Sequence, residues 1–361
     1  MDLGVVFHNK AINTENDNFD DIVELYPYID KQWDINNVTI KILTGGHTNK
    51  LVGCFAKSKQ VNGHKEKPVS AAVVRIYGHH TDTFIDRKGE VIYHVLLAQV
   101  GFAAPIYCLF PNGVCYGFMP GNVVSIDQVR NPHISRLIAE KMGSLHAIDF
   151  ESMLPNDARQ SEAIVQRYSK ESFMWKKMSL FIDVIERDCQ DILSKNAQNF
   201  STVFGSVAKM RQELEQLRDH VEQFYSKMGV EPDIVFCHND LWIGNILHDD
   251  SKDEVHFIDF EYGNYNYAAF DIASHFVKYC GRYFSYNEIN FFMYCLLLKL
   301  VSVDPIDWGR YPSKEYQLEW INSYLRKRFS VNSTAGNFIP DIEVWYIFVQ
   351  KLALVSHQAE Y

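Results

Sequence analysis

Polar residues dominate the first 37 positions, where Asn and Asp clusters leave the apolar residues too scattered for a helical or a strand period. That stretch reads as a polar N-terminal extension, packing loosely. From Val38 the pattern shortens and becomes β-rich. Val38–Leu43, Leu51–Ala56 and Ala71–Tyr77 predict three strands, separated by Gly45-Gly46 and by the polar loop Lys57–Pro68. Lys88–Gln99 predicts a helix, with Val91, Val95, Leu96 and Ala98 near one face. Ile106–Phe110 and Val114–Phe118 are joined by Pro111-Asn112-Gly113, and Asn-Gly between apolar runs predicts a hairpin.

After Pro120-Gly121 the period turns helical. Ile134–Ile148, Phe173–Leu193, Val207–Lys227, Asn287–Val301, Lys314–Phe329 and Ile342–Ser356 carry apolar residues at half-buried helix spacing. Two β-rich runs, Ile234–Cys237 and Val255–Ile258, interrupt them. The chain therefore divides into the extension 1–37, a small mixed lobe 38–119 and a larger, mostly helical lobe 120–361. There is no internal repeat.

Composition narrows the function classes. Apolar residues make up 47% of the 361, enough for a sizeable core, so extensive disorder is excluded. A net charge of −10, with Arg326-Lys327-Arg328 as the longest basic run, disfavours a nucleic-acid or anionic-membrane surface. The seven cysteines are widely spaced, form no CxxC pair and mostly sit in apolar runs, which reads as reduced, buried thiols. With neither a signal pattern nor an uninterrupted apolar run of about 18 residues, the expectation is a cytoplasmic chain without an integral membrane segment.

The richest motif is Cys237-His238-Asn239-Asp240-Leu241-Trp242-Ile243-Gly244-Asn245, followed by Ile258-Asp259-Phe260-Glu261 at the end of the next strand. Phosphoryl transfer from ATP needs a carboxylate to orient the acceptor hydroxyl and take its proton. It also needs oxygen ligands for Mg²⁺, whose charge offsets that on the transferred group. Asp240 suits the first task, and Asn245 and Asp259 the second, at the spacing of the protein-kinase catalytic loop and metal aspartate. Each residue alone reads as well as an Asx turn or a strand cap; the set between two strands does not.

Weaker signals fit the same chemistry. Gly45, Gly46, Thr48 and Asn49 lie in a loop whose N–H groups and hydroxyl suit phosphate oxygens, although an ordinary hairpin turn reads equally well. Arg75, on the third strand, is placed to serve phosphates and to pair with Glu90 on the following helix, the alternative being a surface ion pair. Gly117 and Met119, at the lobe boundary, offer backbone groups to adenine.

Beyond single motifs, FCHNDLWIGNI and HFIDFEYGNYNYAAFDIASHF resemble the choline/ethanolamine kinase family. LTGGHTNKLVGCF, AAVVRIYG, GFAAPIYCLFPNGVCYGFMPG and IAEKMGSLHAI follow the same order, over roughly residues 38–357. Residues 48–54 are more similar to ethanolamine than to choline kinases. The resemblance implies an α+β, protein-kinase-like bilobal fold with a β-rich N-lobe and a helical C-lobe. It implies transfer of the ATP γ-phosphate, with Mg²⁺, to a small amino-alcohol in phospholipid head-group synthesis, and a homodimer. By position, Asp240 becomes the base, Asn245 and Asp259 the metal ligands with Glu261 in support, and Arg75 a phosphate contact. Tyr262 would line the amine pocket, with Tyr265 and Tyr267 close by, although core packing explains many such tyrosines.

Two departures bear on the substrate. Where the family places a Glu facing the ammonium, this chain has Lys278, a cation beside a cationic substrate. The resemblance also implies an aromatic-rich helix after His357, whereas the sequence runs to Tyr361, so the amine cage is expected to be open. Two alternatives follow: a truncated or impaired kinase-like protein that binds nucleotide or a partner kinase with little turnover, and a hydroxyl kinase of the aminoglycoside-phosphotransferase-like group.

Overall fold

Alternating apolar positions from Val38 onward close a sheet rather than isolated hairpins. The computed structural model describes residues 4–14, 19–43, 49–57, 71–78, 85–154, 172–188, 206–280, 307–331 and 341–359, which fall into two units parting between Pro120 and Gly121. In the first unit, β1 (Val6–Phe7), β2 (Val38–Leu43), β3 (Asn49–Ala56), β4 (Ala71–Tyr77), β5 (Ile106–Phe110) and β6 (Gly113–Gly117) form one sheet in the order β1-β5-β6-β4-β3-β2. All pairs are antiparallel except β1 with β5. The Asn-Gly hairpin forms as expected between β5 and β6, and Gly113 is needed there because a Cβ would lie 2.2 Å from the Arg75 carbonyl oxygen. Helix α1 (Tyr26–Ile29) precedes β2, and α2 (Arg87–Gln99) starts where Asp86 accepts the Gly89 N–H at 2.9 Å.

The first 37 residues do not pack loosely. Ile12, Ile22, Leu25, Tyr26 and Trp33 are buried in one cluster with Val52, Cys54, Val74, Cys108 and Cys115 of the sheet. The Asn112 side chain clamps this segment, accepting the Ile12 N–H and donating to its carbonyl, both at 2.9 Å. These apolar residues follow no period because a 3₁₀ turn, Asp20–Leu25, the single turn of α1 and irregular chain carry them.

The second unit holds β7 (Asn122–Val123), α3 (Ile126–Arg130), α4 (Pro132–His146), α5 (Phe150–Met153), α6 (Phe173–Asp188) and α7 (Val207–Met228). Then come β8 (Ile234–Cys237), β9 (Ile246–Asp249), β10 (Glu254–Phe257), β11 (Asn264–Tyr267), α8 (Ala268–Val277), α9 (Lys314–Val331) and α10 (Ile342–Ala359). The strands make a three-stranded sheet, β10-β9-β7, and the ribbon β11-β8. The helix read at 287–301, the end of that read at 173–193, Cys189 and Cys295 lie outside the described residues. Cys54, Cys108, Cys115, Cys237 and Cys280 are buried and take part in no disulfide. Among the described residues no helix is long and apolar enough to cross a membrane.

Helix α8 is the centre of this unit. Every residue from Ala268 to Val277 is buried, the pattern of a helix enclosed on all sides, and α10 packs along it. Helices α4 and α9 approach closely at Gly143, where a Cβ would meet the Tyr324 carbonyl oxygen at 2.7 Å. A polar chain threads the core. Arg328 grips Asp233 with two hydrogen bonds and donates to the Tyr324 hydroxyl at 2.8 Å. That hydroxyl donates to His146 Nδ1 (2.9 Å), and His146 Nε2–H reaches Asp271 (3.1 Å).

Two predictions follow. Asp233→Ala strands a buried guanidinium and should cost about 3 kcal/mol in urea unfolding. Arg328→Met leaves a carboxylate that is 38% exposed and can reach water, so it should cost less; the reverse order would contradict the assignment. The second concerns acid. Burial pushes His146, His238 and His275 down, His275 to about 4 from 6.5, so each is neutral when folded and takes up its proton more readily when unfolded. Stability should therefore fall as pH drops from 6.5 toward 4, with His275 alone contributing roughly 3 kcal/mol. A melting temperature that stays flat across that window would contradict it.

Candidate active site

Each motif aspartate sits in the loop directly after a strand: Asp240 after β8, Asp259 after β10. The two loops are cross-tied. His238 Nε2–H donates to the Ile258 carbonyl at 2.9 Å, and the Ile258 N–H donates to the Asn245 carbonyl at 3.0 Å. The Asn245 side-chain amide then donates to the Asp240 carbonyl at 3.0 Å. The structure thus brings Asp240, Asn245 and Asp259 into one bonded framework.

Both loops use a backbone conformation that side chains rarely adopt. Asn239 has φ 63° and Asp259 φ 64°, a conformation that Asn and Asp tolerate better than most residues and that persists only when the surroundings over-determine it. They do so at Asn239. Its amide nitrogen donates to the carbonyls of Tyr262 (3.0 Å) and Asn264 (3.2 Å), and its Oδ1 accepts from Asn266 (2.8 Å).

Helix α8 holds the loop that carries Asp240. The fully buried Asp271 carboxylate accepts the N–H groups of His238 and Asn239, both at 2.8 Å. Burial pushes this carboxyl up, but His146, His238 and the backbone donors outweigh it and hold it below the usual carboxylate range. One turn on, His275 Nδ1–H donates to the Leu241 carbonyl at 2.9 Å, while its Nε2 accepts from Tyr279 at 3.1 Å. At the helix C-cap, the Lys278 ammonium pairs with Asp240 Oδ1. Positions 271, 275 and 278 share one face of the helix, so one rigid element grips backbone and side chain of the same loop. Lys278 therefore does not swing to solvent but turns onto Asp240.

The remaining residues divide. Tyr262 is half-buried, and the Lys177 ammonium stands 5.2 Å from its ring centroid, 5.7 Å from Phe173 and 5.0 Å from Phe181. Tyr265 and Tyr267 are buried; Tyr267 stacks on Tyr225 at 5.5 Å and accepts from Trp175 at 3.1 Å, so these two serve the core. Glu261 is half-buried beside Tyr262 in sequence.

In the first unit, Arg75 and Glu90 make a buried ion pair at 2.6 Å rather than a surface one. Arg87 adds a second, at 2.8 Å to the other Glu90 oxygen, and reaches Asn49 Oδ1 at 3.2 Å. Burial pushes the Glu90 carboxyl up, yet Arg75 and Arg87 together hold it below its ordinary value. Gly45, Gly46 and Thr48 lie outside the described residues. The Gly117 N–H donates to the Pro105 carbonyl at 2.9 Å and is committed there, and Met119 is half-buried just after β6.

Motif reading missed Asn239, Asp271, His275 and Arg87. One signal was present: an Asp and a His four apart in Ala268–Val277, where Ser274 is the one other polar residue, since buried ionisable groups persist only with partners.

Comparison with known proteins converges on one family. A family model of choline/ethanolamine kinases matches residues 40–357. Human ethanolamine kinase 2 is 32% identical over 336 residues, covering 93% of this chain and 70% of that protein. A probable ethanolamine kinase of Nematostella vectensis is 33% identical over 339 residues, covering 93% and 81%. Among solved structures, an ethanolamine kinase of Plasmodium vivax matches with a TM-score of 0.68 at 23% identity, over 95% of this chain and 81% of that one. A choline kinase of Cryptosporidium parvum gives 0.66 at 23% identity, over 93% and 86%. These two share the protein-kinase-like α+β fold, a β-sheet unit and a helical unit. With the match running through both units and across the bonded loops of Asp240 and Asp259, the chain belongs to the choline/ethanolamine kinase family.

Proposed function

We propose that this chain transfers the γ-phosphoryl group of ATP to the hydroxyl of a small amino-alcohol, ethanolamine ahead of choline. The observation that carries it is the cross-tied pair of loops presenting Asp240, Asn245 and Asp259 from one unit. Family membership supports kinase chemistry with ATP as donor, and the curated relatives named as ethanolamine kinases support the acceptor.

Asp240 accepts a hydrogen bond from the acceptor hydroxyl, aims its oxygen at the γ-phosphorus and takes the proton as the new bond forms. With the Asn245 amide nitrogen fixed on the Asp240 carbonyl, the Asn245 side-chain oxygen and the carboxylates of Asp259 and Glu261 are the groups that would hold the metal. That set of hard oxygens fits Mg²⁺, which when bound offsets the negative charge of the phosphates. In the first unit, Arg75 and Arg87, both anchored by Glu90, are the candidates for holding phosphates, with Gly45, Gly46, Thr48 and Asn49 of the sequence motif. Tyr262 supplies an aromatic face for the amine.

One observation favours a second reading, a kinase-like protein with little turnover: the Lys278 ammonium already occupies one oxygen of Asp240.

An ADP-release assay with each amine decides between them. Turnover with ethanolamine, and a lower kcat/KM with choline, is expected; ATP binding without ADP release with either amine contradicts the proposal. Asp240→Ala should cut kcat by at least about 1,000-fold while Mg²⁺–ATP affinity stays within about threefold. Asp259→Ala should instead weaken nucleotide binding only when Mg²⁺ is present. Equal effects of the two changes on both quantities would refute the roles.

A further inference from the structure

The loop between the base and the metal-ligand asparagine, Leu241-Trp242-Ile243-Gly244, contains no cation. Phosphoryl transfer spreads negative charge over the three non-bridging oxygens of the moving group, and catalysis is mostly positioning plus cations aimed at that charge. Lys278 brings one. Its ammonium is on Asp240 Oδ1 and its side chain is 16% exposed. It caps the buried α8, and its own N–H is bonded to the Ser274 carbonyl at 3.1 Å. A cation at a helix C-terminus is favoured by the helix dipole.

We propose that Lys278 is a catalytic residue of the transfer, its ammonium bridging the Asp240 carboxylate and a non-bridging oxygen of the transferred phosphoryl group. This rests on the phosphotransferase reading above. In the step, the acceptor oxygen bonds to the γ-phosphorus. The bond from that phosphorus to the β–γ bridging oxygen breaks, its electron pair leaving on ADP, and the hydroxyl proton passes to Asp240 through Oδ2. Lys278 gains no proton and loses none. It donates to Oδ1 throughout and to the phosphoryl oxygen as that group passes the base.

The same cation has opposite effects on the two halves of catalysis. A lysine beside the base repels the ammonium of a bound amino-alcohol, which weakens the ground-state complex. It attracts the phosphoryl charge, which is most exposed in the transition state. In a loose transition state the proton moves late, so pairing the base with a cation costs its orienting role little. Lys278 thereby raises kcat and acceptor KM together, whereas a merely obstructive lysine would depress turnover.

Steady-state kinetics with ethanolamine, at saturating Mg²⁺–ATP, separates these for wild type, Lys278→Met, Lys278→Gln and Lys278→Arg, each checked for an unchanged melting temperature. In Lys278→Met and Lys278→Gln, kcat should fall about 10- to 100-fold, less than for loss of a fully buried oxyanion donor, because Lys278 is partly solvated. Acceptor KM should stay the same or fall, and Lys278→Arg should recover part of kcat. A folded Met or Gln variant with unchanged or higher kcat overturns the proposal, as does a loss seen only as raised KM. Wild type inactive with both amines would overturn the phosphotransferase reading and this role with it, whereas an active wild type matched by Lys278→Met overturns this role alone.

Discussion

Two hydrogen bonds from consecutive backbone N–H groups to one buried carboxylate organise the core of the second unit. Asp271 lies in the apolar interior of the second unit, where an ionised group persists only if its oxygens are satisfied. The N–H groups of His238 and Asn239, together with His146, satisfy them. The loop that carries Asp240 is consequently held by the requirement to keep a charge solvated inside the core. Its left-handed turn at Asn239 is the conformation that lets two successive amides point at the same carboxylate.

From that anchor the geometry spreads in both directions. Toward the surface, the proton-donor chain Arg328–Tyr324–His146 runs to Asp271 from α9 and α4, so the packing of those helices and the loop conformation are coupled through polar contacts. Toward the motif loops, His238 and Asn245 carry the same constraint to the strand end before Asp259. A neutral imidazole suits His238, because Nε2 must donate to Ile258 while Nδ1 accepts the Asp240 N–H at 3.3 Å. Burial, which disfavours the charged ring, enforces that state.

What was legible in the sequence followed from periodicity. Strands β2 and β4, the hairpin at Asn112-Gly113 and the helices with one apolar face were readable because a half-buried element repeats its pattern every two or about 3.6 residues. The burial of Ile12, Ile22, Leu25 and Trp33 was not, because irregular chain presents apolar residues at no fixed interval. The aspartates at 240 and 259 stood out because their spacing is set by chemistry. Asp271 and His275 hid inside a helix whose overall character is apolar, and Arg87 hid at a helix start, where its contact with Asn49 depends on a strand 38 residues away in sequence. Local pattern reveals elements; partners distant in the chain need the fold.

On the proposed reading of Asp240 as the base, Asp271 sets the alignment of that carboxylate through the loop backbone, by holding the N–H groups of His238 and Asn239. The most direct test is single-turnover phosphoryl transfer by Asp271→Asn, in which one carboxylate oxygen becomes an N–H₂ facing a backbone donor. A folded Asp271→Asn protein that binds Mg²⁺–ATP normally but transfers phosphate at least about 30-fold more slowly is the predicted result. A folded variant that transfers at the wild-type rate would contradict it.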